Sequence, residues 1–182
     1  GSLTTLAVRG LSTTAIGGLD TAQVAALGTN QVNALTTTQT RELTTSQIAA
    51  LDSTDTAVMN SAQIAVLNSA QIAAFETNDL AQLSTLAIRA ITSTSVTGLT
   101  TDQVAALNSA QVNAISSTQA AALNSAQAAA FETTDIGSLT TLAVRALSTA
   151  AINGLDTAQI AALGTNQVAA ISSTQVAGLT SA

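Results

Sequence analysis

A large apolar residue opens every eighth position of this chain, from Leu3 through Met59, Phe75 and Phe131 to Ile171, without one insertion or deletion. The pattern gives twenty-two complete octads over residues 3–178, numbered in chain order, and Leu179 opens a twenty-third that is cut off at residue 182. Within an octad the positions are large apolar, Ser/Thr/Asp/Asn, Ser/Thr, variable, Gln, Val/Ile and two small residues. Position three is Ser or Thr in all twenty-two; position two has a short oxygen side chain in eighteen, the exceptions being Gly28, Gly164, Glu76 and Glu132. Position five is Gln in thirteen, and position six is Val, Ile or Leu except at Thr40, Thr56, Ala120 and Ala128.

These offsets describe a helix start. With position two as N-cap, its oxygen can accept from the N3 amide, and the Gln at position five is N3 and can reach back to the cap N–H, forming a capping box. Positions one and six then fall at N′ and N4, the two partners of a hydrophobic staple. A continuous helix is excluded, because eight residues advance about 800° and would turn the apolar stripe about 80° per octad. The predicted fold is therefore all-α: a repeat solenoid of very short helices, one per octad over positions three to eight, with a corner at positions one and two. The alternative is a β-solenoid. It fits less well, since positions one and six lie five and then three residues apart, on opposite faces of any strand, and Ala-Ala and Asn-Ser are poor strand formers.

Helices this short are not stable alone, so stacking of coils must hold the array. Three octads per coil would close too tight a triangle for helices about 10 Å across, whereas two or four leave room. The small pair at positions seven and eight, ending in Gly at Gly18, Gly98 and Gly178, suits a helix end and lets backbones approach.

Composition narrows the function. The chain has no Cys and no His, which removes thiol and imidazole nucleophiles and nearly every transition-metal site. Four arginines, no lysine and ten acids give a net charge of −6, a poor match to nucleic acid or anionic membrane. No apolar run approaches the roughly eighteen residues of a membrane span. Cofactors are not expected. Gly1 and Ser2 read as a cloning scar, so the chain is treated as an excised fragment.

A second rhythm overlies the first. FETND at Phe75–Asp79, followed by LSTLAIRA, returns seven octads later as FETTD at Phe131–Asp135, followed by LTTLAVRA. Glu76, Asp79, Glu132 and Asp135 are the candidates for a calcium site. Calcium wants six to eight oxygens, and no D-x-D-x-D-G pattern is present. The plainer reading puts these acids at the N-cap and N3 positions, favoured by the helix N-terminus, with Arg89 and Arg145 pairing to them from the next octad. Asp52 and Asp55 occupy the same two positions without a following arginine. Nothing builds the cleft that paired-carboxylate hydrolysis requires, so no enzyme activity is assigned. The constant Ser/Thr at position three is either a ladder bonded to neighbouring backbone or an outward hydroxyl array able to meet glycan, ice or another array.

The units LTTDQVAA, LDTAQIAA and LNSAQIAA resemble the Thr/Gln/Ala-rich octapeptide arrays of very large bacterial surface and secreted proteins, those labelled adhesins or haem-utilisation proteins. The resemblance covers the whole chain. It implies an exported, extracellular or cell-surface stalk or spacer whose partners are the neighbouring repeats of its parent chain, with self-association or binding through the Ser/Thr face as the alternative. No ligand residues carry over, since the His and Tyr that hold haem are absent.

Overall fold

The computed structural model describes residues 4–179; the scar read at Gly1 and Ser2 and residues 180–182 of the cut-off octad lie outside them. Each described octad forms one helical segment and there is no strand among the described residues. Octad 9, LNSAQIAA, gives Ser69–Ala74, and only octad 12 tightens to a 3₁₀ turn, Val96–Gly98. The helices stop because two consecutive residues turn extended. Leu11 has φ −67° and ψ 140°, and Ser12, capping the next helix, has −67° and 159°. No residue needs a positive φ. Gly18 is nevertheless the C-cap of its helix and Gly98 the last residue of its 3₁₀ turn, so both stand at helix ends as expected, without a left-handed conformation.

Positions one, five and six face inward. Leu35, Leu67, Phe75 and Phe131 at position one and Val32, Ile64, Ile72 and Ile136 at position six are buried in one continuous core. Position four points out, as at Ala70. The cap bonds form as the spacing requires: Asn68 Oδ1 accepts from the Gln71 amide at 2.9 Å and Gln71 Oε1 accepts from the Asn68 amide at 2.8 Å. Gly28 and Gly164 have no side chain to offer, so there only the Gln half of the exchange remains, at 2.6 and 2.7 Å.

The glutamine has a second task. Eleven of them, from Gln39 to Gln175, donate Nε2–H to the position-one carbonyl three octads earlier, at 2.5–3.0 Å. The same amide group reaches a position-six or position-seven carbonyl of the octad before that, as Gln119 does to Ile88 O at 2.7 Å and Gln111 to Ala81 O at 3.0 Å. One buried side chain thus caps its own helix with its oxygen and ties two coils together with its nitrogen. The core could not be thin and apolar alone, because corner carbonyls buried between coils need donors.

The stacking corrects the expected coil. Every pair of helices in contact lies three octads apart, as Thr5–Gly10 on Thr29–Ala34 and Ser117–Ala122 on Thr141–Ala146. Side-chain hydrogen bonds between coils span 25–31 residues, the 24 of three octads plus the offset between the two bonded positions, so a coil takes three octads. The triangle is not too tight, because helices form its edges and only positions one, five and six fill its centre. A bundle diameter overstates the space they need.

At two octads that lack the glutamine, a glycine lets the coils meet closely. Octads 10–12 carry Asp79, Ala87 and Ser95 at position five, and octads 17–19 carry Asp135, Ala143 and Ala151. Ser95 Oγ replaces one bond, donating to Leu67 O at 2.7 Å. A Cβ on Gly98 would sit 2.0 Å from Ser69 O, and one on Gly154 2.4 Å from Ser125 O. Gly98→Ala is therefore expected to force the coils apart at a cost of about 1–3 kcal/mol. Gly10→Ala, with nothing within 4 Å of the new methyl, should be neutral or slightly stabilising. Equal denaturation midpoints for the two variants would contradict the close packing of octads 9 and 12.

Candidate functional surface of the irregular octads

The acids expected at the helix starts do occupy N-cap and N3, but the caps do not bond. Glu76 and Glu132 are exposed and neither side chain accepts from its helix. Asp79 at N3 is buried, with 8% exposure, and Asp135 is half-buried and accepts from Ser109 Oγ of octad 14. Among the described residues no group of three or more acidic side chains could hold a metal ion. The expected pairing with Arg89 and Arg145 does not form either; no ion pair joins any arginine to a carboxylate among the described residues. The reason is topological: the following octad has turned a corner and presents its arginine on another side of the triangle.

Asp52 and Asp55 differ from the FET octads in detail. Asp52 Oδ1 accepts from the Thr54 and Asp55 amides at 2.9 Å and from Thr54 Oγ1 at 2.7 Å. The Thr54 hydroxyl, with the two amides, holds its carboxyl below the ordinary range. Asp55 sits where other octads place glutamine, with 3% exposure. Burial first, and the Asp52 charge second, push its carboxyl up to about 6. Asp79 rises for the same reasons, burial and then the Glu76 and Asp52 charges.

This fixes a pH dependence. Asp55 and Asp79 hold protons more tightly folded than unfolded, so their protonated forms favour the folded chain, and that stability is lost with rising pH, for Asp55 from about 4 through about 6. The loss at Asp55 is about 2–3 kcal/mol. Asp52 acts oppositely but only below its ordinary value of 3.8. The thermal midpoint is expected to be higher at pH 4.5 than at pH 7, and Asp55→Asn should raise the pH 7 value and flatten the dependence. A midpoint that rises with pH over this window would be the wrong sign.

The position-three hydroxyls point outward. They are exposed in all but Thr13, Thr29, Ser53 and Thr77, which are half-buried. Apart from Ser109, none bonds to backbone or to another coil among the described residues. The bonded-ladder expectation is replaced by an open array. One side of the stack carries a groove of about 970 Å³ that runs past Leu86 and Arg89 of octad 11, Ser109 and Asn113 of octad 14, Gly137 of octad 17 and Thr165 of octad 21. A similar groove holds Thr5, Arg9 and Asn33. In both, the asparagine amide donates across to the next coil, Asn33 to Val58 O at 2.7 Å and Asn113 to Ser138 O at 2.9 Å. No helix is long and apolar enough to cross a membrane among the described residues.

The ALTTAQ repeat matches five times, at residues 1–29, 24–60, 72–109, 128–165 and 153–181, together more than half of the chain. A search of curated proteins finds none that matches. The five matches place the octad register within a known repeat type.

Proposed function

This chain belongs to the ALTTAQ repeat family, and from that premise we propose that it is a non-enzymatic stalk or spacer, a segment of a large exported bacterial surface or secreted protein. The observation that carries the reading is the glutamine ladder, in which eleven glutamines between Gln39 and Gln175 each donate to the position-one carbonyl of the coil before. A stack held by nearest-neighbour terms lengthens in proportion to its repeats and keeps its fold. Such a segment sets distance between modules without chemistry of its own. Its partners are the coils before and after it in the parent chain, and the resemblance to surface arrays supports an extracellular setting. Small-angle scattering on arrays of increasing octad number tests this: the maximum dimension should rise linearly with octads added, and a dimension that levels off would end the spacer reading.

The open Ser/Thr array favours one second reading, a binding face for glycan or ice. Glycan-array binding or thermal hysteresis at micromolar protein would support it, and their absence leaves the spacer.

A further inference from the structure

Position five lacks glutamine in three consecutive octads twice, at Asp79, Ala87 and Ser95 of octads 10–12 and at Asp135, Ala143 and Ala151 of octads 17–19. Because helices stack three octads apart, three consecutive octads make one whole turn of the triangle. Each run therefore takes the glutamine from all three sides at once, in the seam between octads 7–9 and 10–12 and in the seam between octads 14–16 and 17–19. Asp55 of octad 7 is a lesser case. It interrupts one rung only, since Gln63 and Gln71 of the same turn still donate to Leu35 O and Leu43 O.

The two bare seams leave polar groups without partners. The position-one carbonyls that a glutamine would meet are those of Leu51, Met59 and Leu67 in the first seam and of Leu107, Ile115 and Leu123 in the second. Ser95 Oγ reaches Leu67 O at 2.7 Å, and among the described residues no donor reaches the other five, all on buried residues. Thr56 Oγ1, in octad 7 of the first seam, is also buried and unpaired. The side-chain bonds that cross the second seam lie on one side of the triangle: Ser109 Oγ donates to Asp135 Oδ1 and Asn113 Nδ2 to Ser138 O at 2.9 Å, both between octads 14 and 17. On the other two sides small residues meet. Octads 15 and 16, on which Ala143 and Ala151 stack, carry Ala120 and Ala128 at position six. Gly98 and Gly154 let the coils meet closely at the two seams, which seats them without a directional bond.

We propose that these two turns are yield points, at which the solenoid opens as three blocks, octads 1–9, 10–16 and 17–22, instead of fraying coil by coil. In a one-dimensional stack the cost of an opening is set by the repeats that unfold and the interfaces that break, so openings start where an interface is weakest. A buried carbonyl without a donor weakens the seam that hides it, since opening returns it to water. Each rung favours the closed stack by about twofold to tenfold, and a turn without its rungs opens at least about tenfold more readily than a laddered one. The yielding goes beyond the spacer reading and does not depend on it.

Native-state hydrogen exchange of the whole chain, in urea below its main transition, reads the helix of each octad. Octads of one block should share one opening isotherm, with steps of at least about tenfold in protection between octads 9 and 10 and between octads 16 and 17. Leu163→Ala, a core truncation in octad 21, should lower protection throughout octads 17–22 and change octads 10–16 by less than about twofold, because the bare seam does not carry the loss. Leu107→Ala in octad 14 should act likewise on octads 10–16 and spare octads 1–9. Gln103→Ala with Gln111→Ala and Gln119→Ala should create a third boundary, between octads 12 and 13; if that chain does not fold, the two single truncations still decide. Protection that declines evenly from the ends, a single isotherm for every octad, or a Leu163→Ala loss that reaches octads 10–16 would each overturn the proposal.

Discussion

Gln119→Leu should lower the unfolding free energy by about 2–5 kcal/mol although it replaces a polar side chain in the interior by an apolar one of similar size. Gln119 Oε1 accepts from the Ser116 amide at 2.8 Å, and Nε2 donates to Ile88 O at 2.7 Å and Ile91 O at 2.8 Å. Ile88 O keeps the Ile91 amide, at 3.2 Å, as a second partner. Ile91 O and the Ser116 N–H lose the bond that the glutamine gives them, and each buried group left without a partner costs about 1–3 kcal/mol. Leucine recovers part of this through apolar burial, so the lower half of the range is a real outcome. Gln23→Leu is the matched control. Gln23 is exposed, bonds to the Asp20 amide at 2.9 Å and has no bond to another coil, so only the cap exchange is lost, about 1 kcal/mol. If urea denaturation gave the two variants the same loss, the inter-coil bonds would contribute nothing and the ladder would be ornamental.

Leu67→Ala is the second large loss, about 2–5 kcal/mol. Leu67 is 2% exposed, at position one, and alanine leaves a void in the continuous core. Ala70, three residues on, is exposed at position four, and Ala70→Glu should change stability by less than about 0.5 kcal/mol. The pair reads the two faces of one octad within four residues. Circular dichroism melts that lowered both equally would invert the inside and outside assignments. In a stack of this kind a large local loss can also split the transition, so midpoint and slope are both informative.

Much of the fold was legible because its instructions are local. Asn68, Gln71, Leu67 and Ile72 sit within one octad, and capping and staple chemistry depend only on such near neighbours. The helix in each octad, the corner at positions one and two and the buried faces all follow from them. The candidate surface was legible only in part. Glu76 and Glu132 announced themselves by breaking the pattern, but the arginine partners assigned to them lie around a corner. The exposed Leu6, Leu86 and Leu142 stood in the sequence as plain departures from the variable position four. Their repeated company with arginine was the available signal. The 3₁₀ turn of octad 12 coincides with Ser95 in place of glutamine, a substitution visible in the sequence whose effect on the turn was not.

The sequence alone determined where each helix starts and stops, since the side chain that caps it and the apolar pair that staples it are at most five residues apart. Only the tertiary structure decided how many octads make a coil and what the glutamine nitrogen does. Those answers lie in contacts 25–31 residues away. A glutamine amide reads the same in sequence whether its nitrogen meets water or the corner of the previous coil, and nothing in local propensity distinguishes the two.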